Sequence, residues 1–493
     1  MRNKSICILT AALAFSLFAA AIANAARPGD LDPTFGSGGK MIDPSFGLVR
    51  DMAVQSDGKI VVVGESSGSF AASVYNQVAR YNQDGTPDTT FGLEGKVRID
   101  AGSGEDYAWS IAIQPDGKIV AGGSSATPAA ASFFLVRYNS DGSLDTGFGG
   151  GTGKVVRALP CGTSSDNHTA RFAIQPDGKL VGAVKFEFCA SLLIRFGSDG
   201  SADLLFGDHG SVTHGYFLGW QDTNAIAIGP DGKIIWTIGN TIFRHEANGS
   251  PDLSFGAGGE VSSPFSYGIQ NVIVQPNGKV VVPGGSALFR YNVDGVLDTS
   301  FSANALATAS TGDFGSAVSL SDGRILEIRT GEPASSSDFT LVRYNSDGTL
   351  DGTFGGGDGI VTVDFSNSMD SASDVALDSQ GRAIIVGYSS GPSGPRFASA
   401  RVLGDTAAQA PVSISGRVTT PTGQGLRNVV VSLTNASGLV RTTTSSSFGF
   451  YSFVDVEAGA TYTISVGSRS YRFSPRMVVV NDNLTNIDLI GLD

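Results

Sequence analysis

Two short segments alternate through most of the chain, and they limit what it can fold into. One reads RYNQDGTPDTTFG at 80–92, and returns at 137–149, 195–207, 244–256, 290–302 and 343–355, with a headless copy, DLDPTFG, at 30–36. The other reads AVQSDGKIVVVG at 53–64, with further copies starting at 112, 173, 227, 273, 318 and 376. Self-similarity at this period marks a repeat architecture, in which each unit buries its apolar face only against its neighbours.

Within each of the seven units, apolar and β-branched runs flank Asp-Gly, a strong hairpin signal. Four strands emerge: a (the AIQ run), b (KIVVGG), c (LVRYN) and d, which follows the FG step, as in GKVRID at 95–100 or GIVTVDF at 359–365. The 66 glycines among 493 residues suit many short strands joined by tight turns. Four antiparallel strands repeated seven times describe a seven-bladed β-propeller. A β-solenoid is the competitor, but its repeats are shorter and lack paired Asp-Gly hairpins.

The alternation of PDGK-IVVGG with RYNxDGxLDxxFG resembles the delta-60 repeat, a bacterial propeller repeat, over about 31–403. The resemblance implies a propeller and an exported bacterial protein. It implies no activity and supplies no catalytic residues.

The repeated residues read as structural. Gly58, Gly117, Gly178, Gly232, Gly278, Gly323 and Gly381 fit two-residue hairpins with positive φ at both central positions. Phe35, Phe91, Phe148, Phe206, Phe255, Phe301 and Phe354 are expected to pack between blades. In six units an Arg precedes an Asp by eight residues: Arg80/Asp88, Arg137/Asp145, Arg195/Asp203, Arg244/Asp252, Arg290/Asp298 and Arg343/Asp351. Fixed spacing of opposite charges predicts a structural ion pair, bidentate where geometry allows. Arg401 has no Asp eight residues on, and Asp32 has no Arg before it. They are complementary halves of one interrupted unit. Residues 31–43 should therefore supply strand d of the last blade, whose strands a, b and c come from 373–403, leaving no unsealed edge. The rival is a set of contiguous blades with GKMID as a first strand.

Sites of other kinds find little support. NSDGSLD has oxygens at short spacing, but it lacks the Glu of a calcium loop and reads as an Asx turn. His168, His209, His214 and His245 are scattered, with no third ligand at metal spacing. The strings such as GFGGGTG at 147–153 do not lead from a strand into a helix, so they fail the context test for phosphate binding. No GxSxG elbow marks a nucleophile. No catalytic residue, metal ligand or cofactor is assigned.

Residues 1–25 read as a secretory leader: Arg2 and Lys4, the apolar run 6–22, then Ala23-Asn24-Ala25. The exported chain would be extracytoplasmic, secreted or in the cell envelope, with no later run long enough to span a membrane. The formal charge is −13, and more negative still without the two leader cations. An acidic surface argues against nucleic acid and anionic membranes as partners. Cys161 and Cys189 remain after cleavage. Either one disulfide or two free thiols fits them.

The a–b and c–d turns, nearly identical in every copy, should emerge on one face of the propeller. The d–a and b–c turns, which vary, should emerge on the other. Loops on a rigid scaffold are the usual place for recognition. Tyr107, Trp109, Tyr216, Trp220 and Tyr267 fall in or beside these loops, with Asp106 and Asp222 near. Aromatic plates with carboxylates suit saccharide rings or peptide segments, and the competing reading is that they pack the loops down. Three or more converging His, Asp or Glu side chains at the channel mouth would favour an enzyme. A shallow aromatic surface would favour binding, and a flat surface of Ser, Gly and Ala a structural part.

After the small-residue linker 404–411, residues 412–493 change style to alternating apolar positions, as a small β-sandwich requires. The pattern SGRV…GLRNVVVSL…GFYSFVDVEAGATYTISV looks like the carboxypeptidase regulatory-like, transthyretin-type module. That resemblance implies a non-catalytic spacer, stabiliser or adhesion element. The expected organisation is a leader at 1–25, propeller at 26–403, linker at 404–411 and sandwich at 412–493. The expected role is non-enzymatic binding, adhesion or scaffolding at the cell surface, with an extracellular glycan or protein as partner. The alternatives are an enzyme using the central channel (lyase, lactonase or glycan hydrolase) and a purely structural envelope component.

Overall fold

A computed structural model describes residues 27–67, 75–102, 105–127, 130–159, 170–184, 190–216, 225–264, 269, 271–284, 287–301, 312–331, 337–365, 369–391, 394–405, 412–435, 440–456, 460–480, 484, 485 and 487–492. The leader, Cys161 and Cys189 lie outside them.

Seven antiparallel sheets follow the repeats. Blade 1 holds Phe46–Val54, Ile60–Ser66, Asn76–Tyr81 and Lys96–Arg98 in the order a-b-c-d. Blade 2 spans Glu105–Ile113 to Lys154–Ala158, blade 3 Ala170–Ile174 to Ser211–Tyr216, blade 4 Ile226–Ile228 to Glu260–Ser262, and blade 6 Gly312–Ser319 to Ile360–Val363. Blade 5 shows three strands among the described residues, Ile273–Val274, Val280–Gly284 and Ala287–Tyr291. The seventh sheet joins Asp370–Leu377, Ala383–Gly391 and Gly394–Val402 to Lys40–Asp43. Each a strand contacts the a strand of the next sheet, and that of the seventh sheet contacts that of the first. The sheets form a ring around a central channel, a β-propeller.

The core lies between blades. Residues of blade 1 (Val61, Val63, Val78, Phe91) and blade 2 (Ile111, Ala121, Phe134, Val136) form one cluster, and the other face of the same b strand (Ile60, Val62) packs with Ile384 and Phe397 of the seventh sheet. Strand b is therefore buried on both faces, which is why its sequence is continuously apolar rather than alternating.

The expected ion pairs form, with one difference. Arg80 Nε meets Asp88 Oδ2 at 2.7 Å, and the other five pairs lie at 2.6–3.0 Å. They are not bidentate. Oδ1 is already taken: Asp88 Oδ1 accepts from the backbone N–H of Thr90 at 3.0 Å and its hydroxyl at 2.6 Å. Oδ2 also faces the basic residue of the a–b turn, such as Lys59 at 3.1 Å and Lys233, on Asp252, at 2.8 Å. The Lys of the DGK motif is thus a second cation on one carboxylate. Burial alone would raise the Asp88 carboxyl, but hydrogen bonds from Thr90 and Lys59 and the Arg80 charge outweigh it and hold the group well below the usual carboxylate range. Each Arg also lies over the Phe of its own FG step, 4.3–5.0 Å from the ring centroid.

The turns depart from expectation. Gly58 has φ +80°, yet Asp57 is not among the positive-φ residues. Gly58 N–H donates to Gln55 O, and Gln55 N–H to Lys59 O, both at 2.8 Å. These are longer loops of a type I turn closed by a left-handed glycine, not two-residue hairpins. The Asp-Gly of the RYN segment builds the same turn one blade edge further out. There Gly85 (φ +85°) lies so close to Phe35 that a Cβ would sit 2.9 Å from the ring, so the FG phenylalanine packs against the next blade's turn as expected.

The ring closes as the unpaired Arg401 and Asp32 imply. Lys40–Asp43 pairs antiparallel with Gly394–Val402, Ile42 opposite Ala398. Arg401 Nε meets Asp32 Oδ2 at 2.8 Å, and Arg382 joins at 2.9 Å. Asp32 N–H donates to Arg401 O at 2.8 Å, as Asp88 N–H does to Arg80 O at 2.9 Å. The segment also reaches both neighbours: Gly36 N–H donates to Asp84 O of blade 1, and Gly355 N–H of blade 6 to Pro28 O.

In the C-terminal region, Phe450–Val456, Val412–Thr419 and Leu489–Ile490 form one sheet, and Val440–Thr444, Val430–Asn435, Ala460–Gly467 and Arg476–Val480 a second. They share one core of Ile414, Val418, Val431, Leu433, Tyr451, Phe453 and Ile464. At the start of the linker, Asp405 accepts from Arg343 at 3.0 Å and from Arg324.

Candidate functional site

Two places on the propeller gather polar chemistry that the repeat does not require. The first is the channel. Two residues before the a-strand motif, the units carry Asp51, Ser110, Arg171, Ala225, Asn271, Ser316 and Asp374. Six of these line a cavity of about 210 Å³ on the axis. Their side chains bridge blade junctions. Asp51 Oδ2 accepts from Ile111 N–H at 2.8 Å, Asp374 Oδ2 from Met52 N–H at 3.1 Å, and Asn271 Nδ2 donates to Ser316 Oγ at 3.1 Å. Met52 N–H is shared with Asp51 Oδ1 at 3.0 Å, which presses the two carboxylates together. Burial raises both above the usual carboxylate range. Mutual repulsion adds to this at Asp374, while Arg171 moderates it at Asp51. The pair therefore holds a proton between its members near neutrality. Two carboxylates converge here, with a guanidinium, an amide and two hydroxyls.

The second place is the variable face at blades 1 and 2. Asn76 ties the blades together, donating to Asp106 O and accepting from Ala108 N–H. Around it, Tyr75 and Tyr107 are 39% and 37% exposed. Tyr107 donates its hydroxyl to Glu105 at 2.8 Å. The Arg98 guanidinium lies 5.0 Å from the Tyr75 ring centroid and that of Arg50 4.9 Å from Trp109. Arg50 also pairs with Glu65 at 2.6 Å. The indole N–H of Trp109 is buried with no acceptor among the described residues.

Of the five aromatic residues singled out in the sequence, Tyr107 and Trp109 thus share one strand. Tyr216 ends strand d of blade 3. Trp220 and Tyr267, like Asp222, lie outside the described residues. Arg50 and Arg98 were missed because each sits in a strand, and Tyr75 because it immediately precedes one, where nothing but departure from the repeat could have flagged them.

The histidines need a correction. His214 and His245, scattered in sequence, meet across blades 3 and 4 with their Nε2 atoms 3.2 Å apart, against Trp236 and Phe243. His245 stands where four other units have Tyr, is 1% exposed, and its Nδ1 has no partner among the described residues. Burial, and then the charge of His214, lower its pKa to about 4, and burial lowers that of His214. The folded chain therefore binds fewer protons than the unfolded chain between the model-peptide value of 6.5 and about 4, and stability falls as pH drops through that window. From pH 7 to 4.5 the loss should be roughly 2–3 kcal/mol. His245→Tyr should flatten it, as denaturant titrations at the two pH values would show. A slope unchanged by the substitution contradicts this.

The carboxylate oxygens of Asp338, Asp364 and Asp370 lie within 4.8 Å of one another, but Asp370 already accepts from Phe365 N–H at 2.7 Å. Calcium takes six to eight oxygens.

The fold and its variable face define a repeat propeller carrying an appended β-sandwich. Five segments, 55–91, 114–148, 175–206, 275–301 and 320–354, match the family described as "Domain of unknown function (DUF5122) beta-propeller", and 413–489 match the carboxypeptidase regulatory-like domain. The chain carries both, in the order its sequence implied. No curated protein sequence matches it. Among solved structures it is similar to an inactive virginiamycin B lyase from Staphylococcus aureus bound to quinupristin (11% identity, TM-score 0.45, 74% of this chain and 99% of that one). It is also similar to YCF48 bound to D1 peptide (12%, 0.42, 77% and 98%) and to the polysaccharide lyase Uly1 (11%, 0.44, 76% and 92%). Likeness at this level concerns the fold alone.

Proposed function

We propose that this is an extracytoplasmic protein, secreted or held in the cell envelope, that binds, adheres or scaffolds without catalysis through the variable face of its propeller. The partner is an extracellular glycan or protein. One observation carries the reading: at blades 1 and 2 two half-exposed tyrosines and two guanidinium groups lying over aromatic rings gather at one edge. Aromatic area with a few polar groups is what recognition uses. The chain from residue 26, applied to glycan and peptide arrays, should bind a restricted set of ligands, and Tyr107→Ala/Trp109→Ala should weaken that binding at least about tenfold. Binding indifferent to both substitutions would remove the site.

A channel enzyme is the second reading, because Asp51 and Asp374 share a proton in a polar channel cavity, an arrangement suited to acid–base work. Against it, all four of their carboxylate oxygens already accept backbone N–H groups.

A further inference from the structure

We infer that a groove on the C-terminal sandwich binds a neutral saccharide chain. The groove, about 760 Å³, lies where the edge strands Val440–Thr444 and Phe450–Val456 of the two sheets approach each other. Its walls carry the hydroxyls of Thr443, Thr444, Ser446, Ser452 and Thr485. The most exposed aromatic side chains of the described residues stand here together: Phe450, 58% exposed, lines the groove, and Phe448, 71% exposed, lies two residues away across the turn glycine. Both are accessible for a local reason. Tyr451 and Phe453 turn into the core, so the alternation of the strand turns Phe450 outward. Opposite it in register is Arg417, whose guanidinium lies 5.4 Å from the ring centroid and whose Nε donates to Phe448 O at 2.8 Å. Arg417 thus holds the Phe450 ring and anchors the Phe448 backbone.

The wall chemistry selects the ligand. Asp488 is the one charged residue among those lining the groove; its Oδ1 accepts from Arg417 N–H at 2.9 Å, and its side chain is exposed. The Arg417 guanidinium is taken up by the Phe450 ring and the Phe448 carbonyl, so the carboxylate is the charge the lining presents and an acidic polymer is disfavoured. Hydroxyls, one carboxylate and flat apolar rings match the alternating hydroxyl edges and C–H faces of a neutral sugar chain. This site stands on a different domain from the variable face of the propeller, so each can fail without the other.

The test is electrophoresis of the chain from residue 26 through gels containing hydroxyethyl-cellulose, arabinoxylan, galactomannan or glycogen, with polygalacturonate as the acidic comparator. At least one neutral polymer should retard the protein. Phe448→Ala/Phe450→Ala should raise the apparent Kd at least about tenfold and Asp488→Asn several-fold, with melting temperatures unchanged because all three side chains are exposed. Tyr107→Ala/Trp109→Ala should leave this retardation intact. No retardation by any neutral polymer, retardation by polygalacturonate alone, or retardation that survives loss of both phenylalanines overturns the inference. Loss with the Tyr107/Trp109 substitutions alone would place the saccharide on the propeller instead.

Discussion

A chain lacking residues 26–43 should fail to form a stable propeller. The deletion removes the outer strand of the seventh sheet, takes Phe35 (0% exposed) from under the blade 1 turn, and strips Asp32 from Arg401, which is 2% exposed. Losing one partner of a buried ion pair costs about 3–5 kcal/mol, and removing a buried phenylalanine about as much. Against a typical total of 5–15 kcal/mol, the sum reaches most of the stability. Circular dichroism should show a broad, early thermal transition for the truncated chain. Melting like that of the chain from residue 26 would mean that the segment is ornamental.

Asp252→Ala should be strongly destabilising. Asp252 is 3% exposed and meets Arg244 at 2.6 Å and Lys233 at 2.8 Å; its loss leaves the buried Arg244 without its carboxylate, while Lys233 keeps Glu246 at 2.8 Å. The expected cost is about 3–5 kcal/mol, read as a fall in denaturation midpoint at unchanged m-value. Arg244→Met/Asp252→Leu should cost less than Asp252→Ala, because an apolar pair leaves no buried charge unpaired. If the double variant is the weaker of the two, the triad is held by more than charge.

Much of the fold was legible because repetition turns residue spacing into topology. A lone Arg and Asp eight residues apart mean nothing, but six such pairs with one Arg and one Asp left over specify how the ends of the chain meet. The turn type was not legible, because Asp-Gly alone does not reveal that Gln55 rather than Ser56 pairs with Lys59, which lengthens the loop by one residue. The bidentate expectation failed because Thr90 and its equivalents compete for the second carboxylate oxygen, a role that a spacing rule does not see. The channel ring escaped notice for the opposite reason. Asp51, Arg171 and Asp374 occupy one position of the repeat that never settles on a residue type, and their convergence exists only once the a strands surround an axis. His214 and His245 lie 31 residues apart in different units, and only the packing of blade 3 on blade 4 brings them together.

The most direct test of the closure is a cross-link between Ile42→Cys and Ala398→Cys, directly opposed in the strand pairing. Opposed residues of antiparallel strands have Cα atoms about 4.5–5.5 Å apart, within reach of a disulfide. Mass mapping of the oxidised, folded chain should find the peptide containing residue 42 joined to the one containing residue 398. Two free thiols at these positions, or residue 42 joined elsewhere, would contradict the closure of the ring by its own N-terminal strand.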